Sequence, residues 1–328
     1  MEVRAEMKST EGTLLNAPQR RKWKFTTNQI ILQAMALMGI SWYLIFYYGP
    51  YLSLSLAFKD FNFNAGVWGS PWVGLKYFRE LLADAALPGI IRNTVAISGL
   101  KILICFPSAI LFALLLNEIP NARVKRLAQT ASYFPHFISW IIISLIIVYW
   151  FSPEFGMINR LLIQLKIIKR PLTILTDPSA FYGLAVFTEL WKETGWSAIL
   201  FIAAISGIDP TIYEAAIVDG ASRWQKTVHI TLPSIMGAII LVFLLNISGL
   251  FSGIGGIFEQ SMFLGNAINY DKSMVLGYYT LKSGLALGRF SFATAVSLVN
   301  GIVSTILIVT MNMLCKRVFG RGLYTGGE

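Results

Sequence analysis

The chain has 328 residues, 55% of them hydrophobic and only 13% charged. Soluble domains usually carry about 25% charged residues, so too few polar groups are present to cover a water-facing surface. The formal net charge of +10 comes without any Lys/Arg run longer than Arg20-Arg21-Lys22, which argues against nucleic acid as a partner and for basic residues that flank membrane spans.

In chain order, residues 1–29 form a polar tail ending in Arg20, Arg21, Lys22 and Lys24, a basic cluster that predicts a cytoplasmic N-terminus. Residues 30–57 read as a first transmembrane helix, since about 20 apolar residues suffice to cross a bilayer. Trp42, Tyr43, Tyr47 and Tyr48 give it interfacial anchors. Residues 58–93 form a polar external segment, and residues 94–314 a transmembrane core. Its spans are expected at 94–116, with Pro107 inside, then 134–151, 181–205, 233–257 and 290–314. Between the second and third of these, Ile158, Leu161, Leu162 and Leu165 repeat at helical spacing and predict a short amphipathic helix. Residues 315–328, with Lys316, Arg317 and Arg321, form a cytoplasmic tail. The fold class is therefore an all-α integral membrane protein of about six transmembrane helices.

Ionisable groups inside spans are costly and usually face a protein interior or a water-filled cavity. Glu189, Lys192 and Glu193 fall within one turn of the span at 181–205. Two readings stand: they line a translocation path, or Lys192 neutralises a neighbouring glutamate and braces a contact. Lys101 reads as a snorkelling or paired cation. Asn246 and Asn300 either meet substrate or bond between helices. Ser248, Gly249, Ser252, Gly253 and Gly256 permit close helix approach. His136 and His229 look isolated from other ligand-type residues, and Cys105 and Cys315 give no metal spacing, so no metal site and no catalytic group are expected.

The segment between the fourth and fifth spans, residues 206–232, carries the sharpest signal. Asp209 is a helix N-cap followed by Pro210 at the first helical position. Gly220 supplies a left-handed residue that ends this helix, Ser222 caps a second helix, and Pro233 stands at the membrane entry. Glu214-Ala215-Ala216, then Asp219-Gly220, then Ile230-x-Leu232-Pro233 resembles the EAA loop of permease subunits in binding-protein-dependent type I ABC importers. Ala57-Phe58-Lys59-Asp60-Phe61-Asn62, the stretch from Trp68 to Leu75, and Trp191-Lys192-Glu193-x-Gly195-Trp196 resemble the complex-oligosaccharide subgroup, which includes importers of pectin fragments and alginate.

The resemblance implies a type I permease fold and a loop that docks on an ATPase through Glu214, Ala215, Ala216, Asp219, Gly220, Ile230, Leu232 and Pro233. It also implies a second, homologous permease subunit, two copies of an ABC ATPase subunit, an extracytoplasmic solute-binding protein and an oligosaccharide substrate, in contact with membrane lipid. The location implied is the bacterial cytoplasmic membrane, with both termini cytoplasmic. The sequence holds no G-x-x-x-x-G-K-[ST] phosphate loop, so ATP and Mg are expected on the partner ATPase and no cofactor on this chain. The basic residues expected outside, among them Lys59, Lys76, Lys166, Lys169, Arg170 and Arg289, suit an acidic oligosaccharide, an amphipathic surface helix or an anionic headgroup. The alternative from another class is a secondary, ion-coupled transporter of a polar solute.

Overall fold

A computed structural model of the chain describes residues 26–250 and 256–320. The N-terminal basic cluster, Ser252, Gly253 and Arg321 lie outside the described residues. The chain divides into two compact units, Met1–Ser53 and Leu54–Glu328.

In the first unit, α1 runs over Thr27–Tyr43, with Thr26 and Gln29 forming a capping box. None of its side chains is buried, as suits a helix whose solvent is lipid. Trp42 lies 4.2 Å from Phe46 and Tyr43 stacks at 4.7 Å on Tyr47, centroid to centroid. The backbone widens to a π turn over Leu44–Tyr48 and then tightens to 3-10 from Gly49. Pro50 has no N–H to continue the α pattern, which accounts for the change of helix type there.

In the second unit, the segment after the first span is an ordered loop. Lys59 and Trp72 form an antiparallel bridge, and Val73 N–H donates to the Phe58 carbonyl at 2.8 Å. Helix α2, Lys76–Ala83, follows. Phe61 N–H donates to Ser291 Oγ at 3.0 Å, while Phe61 and Phe63 pack edge-on against Phe290. The loop is thereby fastened to the start of the last helix.

The core is built on α3, Leu87–Asn117, and α7, Phe181–Ser206. Ala109, Ala113 and Ala198 are fully or almost fully buried, with Phe201, Ile205, Ile235 and Val242, where these two helices meet α10, Met236–Gly249. Alanines four residues apart let backbones approach closely in the absence of a hydrophobic driving force between helices in lipid. The last helix is α13, Phe290–Phe319, with Lys316 and Arg317 in its final turn, where cations favour the carbonyl end of the dipole.

Among the described residues, three helices are long and apolar enough to cross a membrane: Thr27–Phe58, Leu87–Asn117 and Phe290–Phe319. Three bent pairs pass the same test together, which raises the possible number of spans to six. The span expected at 134–151 falls within one of these pairs, and its bounds are corrected to a bent element that begins at Ala122. Helix α4, Ala122–Tyr133, ends in a 3-10 turn at Phe134–Phe137, and the chain bends 93° before α5, Trp140–Phe151. Pro135 opens the turn and Ser139 starts the new helix by accepting from the Ile142 N–H. Helix α5 has 12 residues, about 18 Å of rise, well short of a hydrocarbon core of about 30 Å. The predicted fifth span likewise begins late, after a break at Ile235. By contrast α3 starts two turns before residue 94, because the polar Asn93 is satisfied inside the protein: its amide donates to the carbonyls of Asp271 and Met274 and its oxygen accepts from Tyr182. The short amphipathic helix is present as α6, Met157–Gln164.

Helix α4 crosses α7 where Gly195 faces the Ser132 backbone, and a Cβ at 195 would overlap the Ser132 carbonyl. Gly195→Ala is therefore expected to lower the thermal midpoint of the detergent-purified protein, by an amount equivalent to roughly 1–3 kcal/mol of overpacking. Gly183→Ala on the same helix, whose added methyl meets no atom within 4 Å, is expected to leave the midpoint in place. Equal midpoints for both variants would refute the close crossing.

Candidate functional site: a coupling hairpin and a charged cavity

The hairpin after α7 is made of α8, Pro210–Val218, and α9, Arg223–Ser234. The chain bends 72° between α7 and α8. Asp209 caps α8, its carboxylate accepting from the Thr211 N–H at 2.9 Å, and that backbone bond holds the carboxyl below the usual aspartate range. Helix α8 ends in a Schellman motif, with Ala221 N–H donating to the Ala216 carbonyl and Gly220 N–H to the Ile217 carbonyl. Gly220 has φ +77°, a conformation that costs any residue with a Cβ. Ser222 and Gln225 then cap α9 reciprocally. Tyr213 Oη and Thr231 Oγ1 lie 2.8 Å apart and tie the two arms.

Glu214, Ala215, Asp219 and Gly220 are exposed, and Ala216 is partly so. Val218 is 87% exposed and Trp224 75%, so among the described residues the corner presents uncovered apolar side chains around a carboxylate. Further along, Ile230 and Leu232 are half-buried and Pro233 is exposed, next to the buried Thr231. The eight predicted residues thus fall into an outward corner at 214–220 and a root at 230–233.

The charged residues of α7 belong to a second site. Lys101 Nζ on α3 lies 3.1 Å from Glu189 Oε2, both side chains about one-tenth exposed. Lys192, 4% exposed, sits 3.0 Å from Glu193, donates to the His136 carbonyl and lies over the Trp140 ring. His136 Nδ1 is 2.6 Å from Glu193 Oε2, and its ring stacks on Trp196 at 4.1 Å. His136 is therefore not isolated, which corrects the sequence expectation: the 93° bend before α5 brings it to a helix distant in sequence. Gly256, at φ +73°, fits against Trp140 and Glu189 where a Cβ would collide with both.

A cavity of about 80 Å³ is lined by Lys101, Glu189, Glu193, Thr194, Ser197 and Asn246, among others, with room for a few waters. Lys192 is turned away toward Trp140. Asn246 also donates to its own helix at Val242. Asn300 lies elsewhere, at an apolar pocket with Phe78, Leu81 and Leu276. Lys101, read from the sequence as a snorkelling or paired cation, is paired with Glu189 and also lines the cavity, whereas Ser98, Thr194 and Ser197 were not singled out at all. Small hydroxyl residues in an apolar helix give no pattern that marks them. Among the described residues, no group of three or more His, Cys, Asp or Glu side chains could hold a metal ion.

The family profile described as "Binding-protein-dependent transport system inner membrane component" matches residues 106–319. The chain belongs to that family. It is a membrane permease of the ABC-importer type. Protein LplB of Bacillus subtilis is 37% identical over 308 residues, covering 94% of this chain and 93% of that one. The polygalacturonan/rhamnogalacturonan transport system permease protein YteP of the same organism is 36% identical over 296 residues, 90% of this chain and 91% of that one. A chain from the crystal structure of a bacterial alginate ABC transporter, in complex with its alginate pentasaccharide-bound periplasmic protein, superposes with a TM-score of 0.82. It is 33% identical, covering 92% of this chain and all of that one.

Removing one partner of a buried ion pair strands the other, at a cost of roughly 3–5 kcal/mol, whereas replacing both is often neutral. Lys101→Met is therefore expected to destabilise the permease strongly, and Lys101→Met with Glu189→Leu to recover most of the loss in a thermal-unfolding assay. Additive losses in the double variant would mean that the two groups do not form a pair.

Proposed function

We propose that the chain is one of two similar permease subunits of an ATP-driven importer of acidic oligosaccharides, such as pectin or alginate fragments. In this reading an extracytoplasmic binding protein delivers the sugar, two ATPase subunits close on ATP, and the corner at 214–220 receives that movement. The observation that carries it is the form of the corner: a carboxylate and two alanines on an exposed, Schellman-capped bend, rooted at Thr231 and Ile235 in the helical core. Ala215 and Ala216 allow close approach of another surface, and Glu214 can accept a charge-assisted bond from a basic group there.

Both termini and this hairpin are cytoplasmic in the proposal, in keeping with Lys316 and Arg317 at the end of α13. The acidic substrate class rests on what the polygalacturonan and alginate relatives carry. The cavity on α7 would be one wall of a path that the second permease completes, with Glu189, Glu193, Asn246 and Lys101 facing it.

In the reconstituted transporter, Glu214→Ala and Gly220→Val are each expected to leave assembly and binding-protein docking intact. Both should cut substrate-stimulated ATP hydrolysis and uptake by tenfold or more, about 1.4 kcal/mol of coupling or greater. Uptake of labelled oligogalacturonate by the unaltered transporter should require nucleotide and survive dissipation of ion gradients. Full stimulation in both variants, or uptake driven by a gradient without nucleotide, would overturn the reading.

A further inference from the structure

Helix α6 and the loop after it form a ledge of unusual composition. Asn159, 1% exposed, holds the ledge rigidly: its amide donates to the carbonyls of Phe151, Ser152 and Leu172, and its oxygen accepts from the Leu172 N–H. Gly156 is pressed so closely on the backbone at 150–152 that a Cβ would collide with it. On this fixed ledge Phe155, Met157, Leu161, Leu165 and Ile167 are each at least half exposed. The same stretch exposes Arg160, Lys166, Lys169 and Arg170, and none of these four is in an ion pair among the described residues. Exposed apolar side chains beside basic ones are what an element lying in a membrane interface presents.

Beside the ledge an open groove of about 690 Å³ runs between α5 and α7, lined almost wholly by apolar groups that include Ile147, Trp150, Ile158, Ile174, Phe187 and Trp191. Ile158 lies on α6 itself and Ile174 just beyond the basic loop, so groove and cations share one edge. An apolar slot lined at Ile158 and Ile174, on either side of the segment that carries these unpaired cations, matches a ligand with an alkyl chain and an anionic head.

We propose that this ledge and groove bind an anionic phospholipid, with the headgroup at Lys166, Lys169 and Arg170 and an acyl chain between α5 and α7. The site is separate from the cavity on α7 and from the hairpin, so it can fail while the transport reading stands. The lipid fixes the height of α6 in the bilayer and covers the apolar faces of Trp150 and Trp191.

The test uses the whole transporter reconstituted in phosphatidylcholine vesicles, with spin-labelled phosphatidylglycerol or spin-labelled phosphatidylcholine as probe. The motionally restricted fraction is expected to favour phosphatidylglycerol by roughly fivefold at low salt, a preference that salt screens. K166Q/K169Q/R170Q should bring the preference close to one, and Gly183→Leu, which fills the groove from its exposed side, should do so without removing a charge. Because all four positions are exposed, an unchanged thermal midpoint checks that the fold is kept. Equal retention of the two lipids by the unaltered protein would overturn the proposal. So would a preference that survives the triple substitution, or displacement of the labelled lipid by soluble oligogalacturonate, which would give the basic loop to the sugar instead.

Discussion

Charges withdrawn from water in a membrane protein must be paired with one another, and on α7 that requirement organises much of the core. Glu189, Lys192 and Glu193 fall within about one turn of a helix that carries no other charge, and between them they reach α3, the 3-10 turn and α5. Glu189 takes Lys101 from α3. Glu193 takes His136 from the 3-10 turn, and Lys192 is held between Glu193, the His136 carbonyl and the Trp140 ring at the start of α5. Interactions of this sort are weak evidence for stability, since desolvation offsets most of the Coulomb attraction. What they supply is register: sliding α3, or turning α5 relative to α7, would strand a buried charge. The close approaches at Gly195 and Gly256 have the same consequence, because they leave no slack in which those helices could shift without breaking a pair.

The hairpin obeys a different logic. Its bonds are internal, with one cap at Asp209, a Schellman closure at Gly220, a capping box at Ser222 and a tie from Tyr213 to Thr231. A segment so fully self-satisfied keeps its shape while exposing apolar and acidic groups at its corner. Its root is not independent of the core. Thr231 is buried and Ile235, 2% exposed, packs with Ala109, Ala198 and Phe201 of α3 and α7. The root of the hairpin thus meets the junction of α3, α7 and α10, the elements that line the cavity.

The helices of the core and the hairpin were legible because their signals are local. The apolar runs at 94–116, 181–205 and 290–314, with Asp209-Pro210, Gly220 and Ser222, each act within their own stretch of chain, and the structure realises them. Bends were less legible. Phe134–Phe151 is predominantly apolar, and its overall hydrophobicity does not distinguish a continuous span from a 3-10 turn followed by a helix of 12 residues. Pro135 and Ser139 were the available clues, masked by the hydrophobicity around them. The ionic partners were not legible at all in their specific form. Glu189 and Lys101 are 88 residues apart, and His136 meets Glu193 only because the chain turns through 93°. Asn93 shows the converse error, a polar residue that looked like the edge of a span and is instead satisfied deep inside one.

Net charge is a poor guide to the sign of the cargo, and the fate of individual cations shows why. Lys59 is 4% exposed and spends its ammonium on the carbonyls of Val67 and Trp68. Lys76 is paired with Asp60, whose carboxyl is held below its usual range by the Tyr77 hydroxyl and by Lys76 itself. Arg289 is paired with Glu80, and Lys272 and Lys282 lie over the rings of Tyr182 and Tyr270. The cavity on α7 brings Lys101 together with Glu189 and Glu193, while Lys192 is held outside it by Glu193, the His136 carbonyl and the Trp140 ring. The net charge of the whole chain therefore does not describe the cavity, which presents groups of both signs.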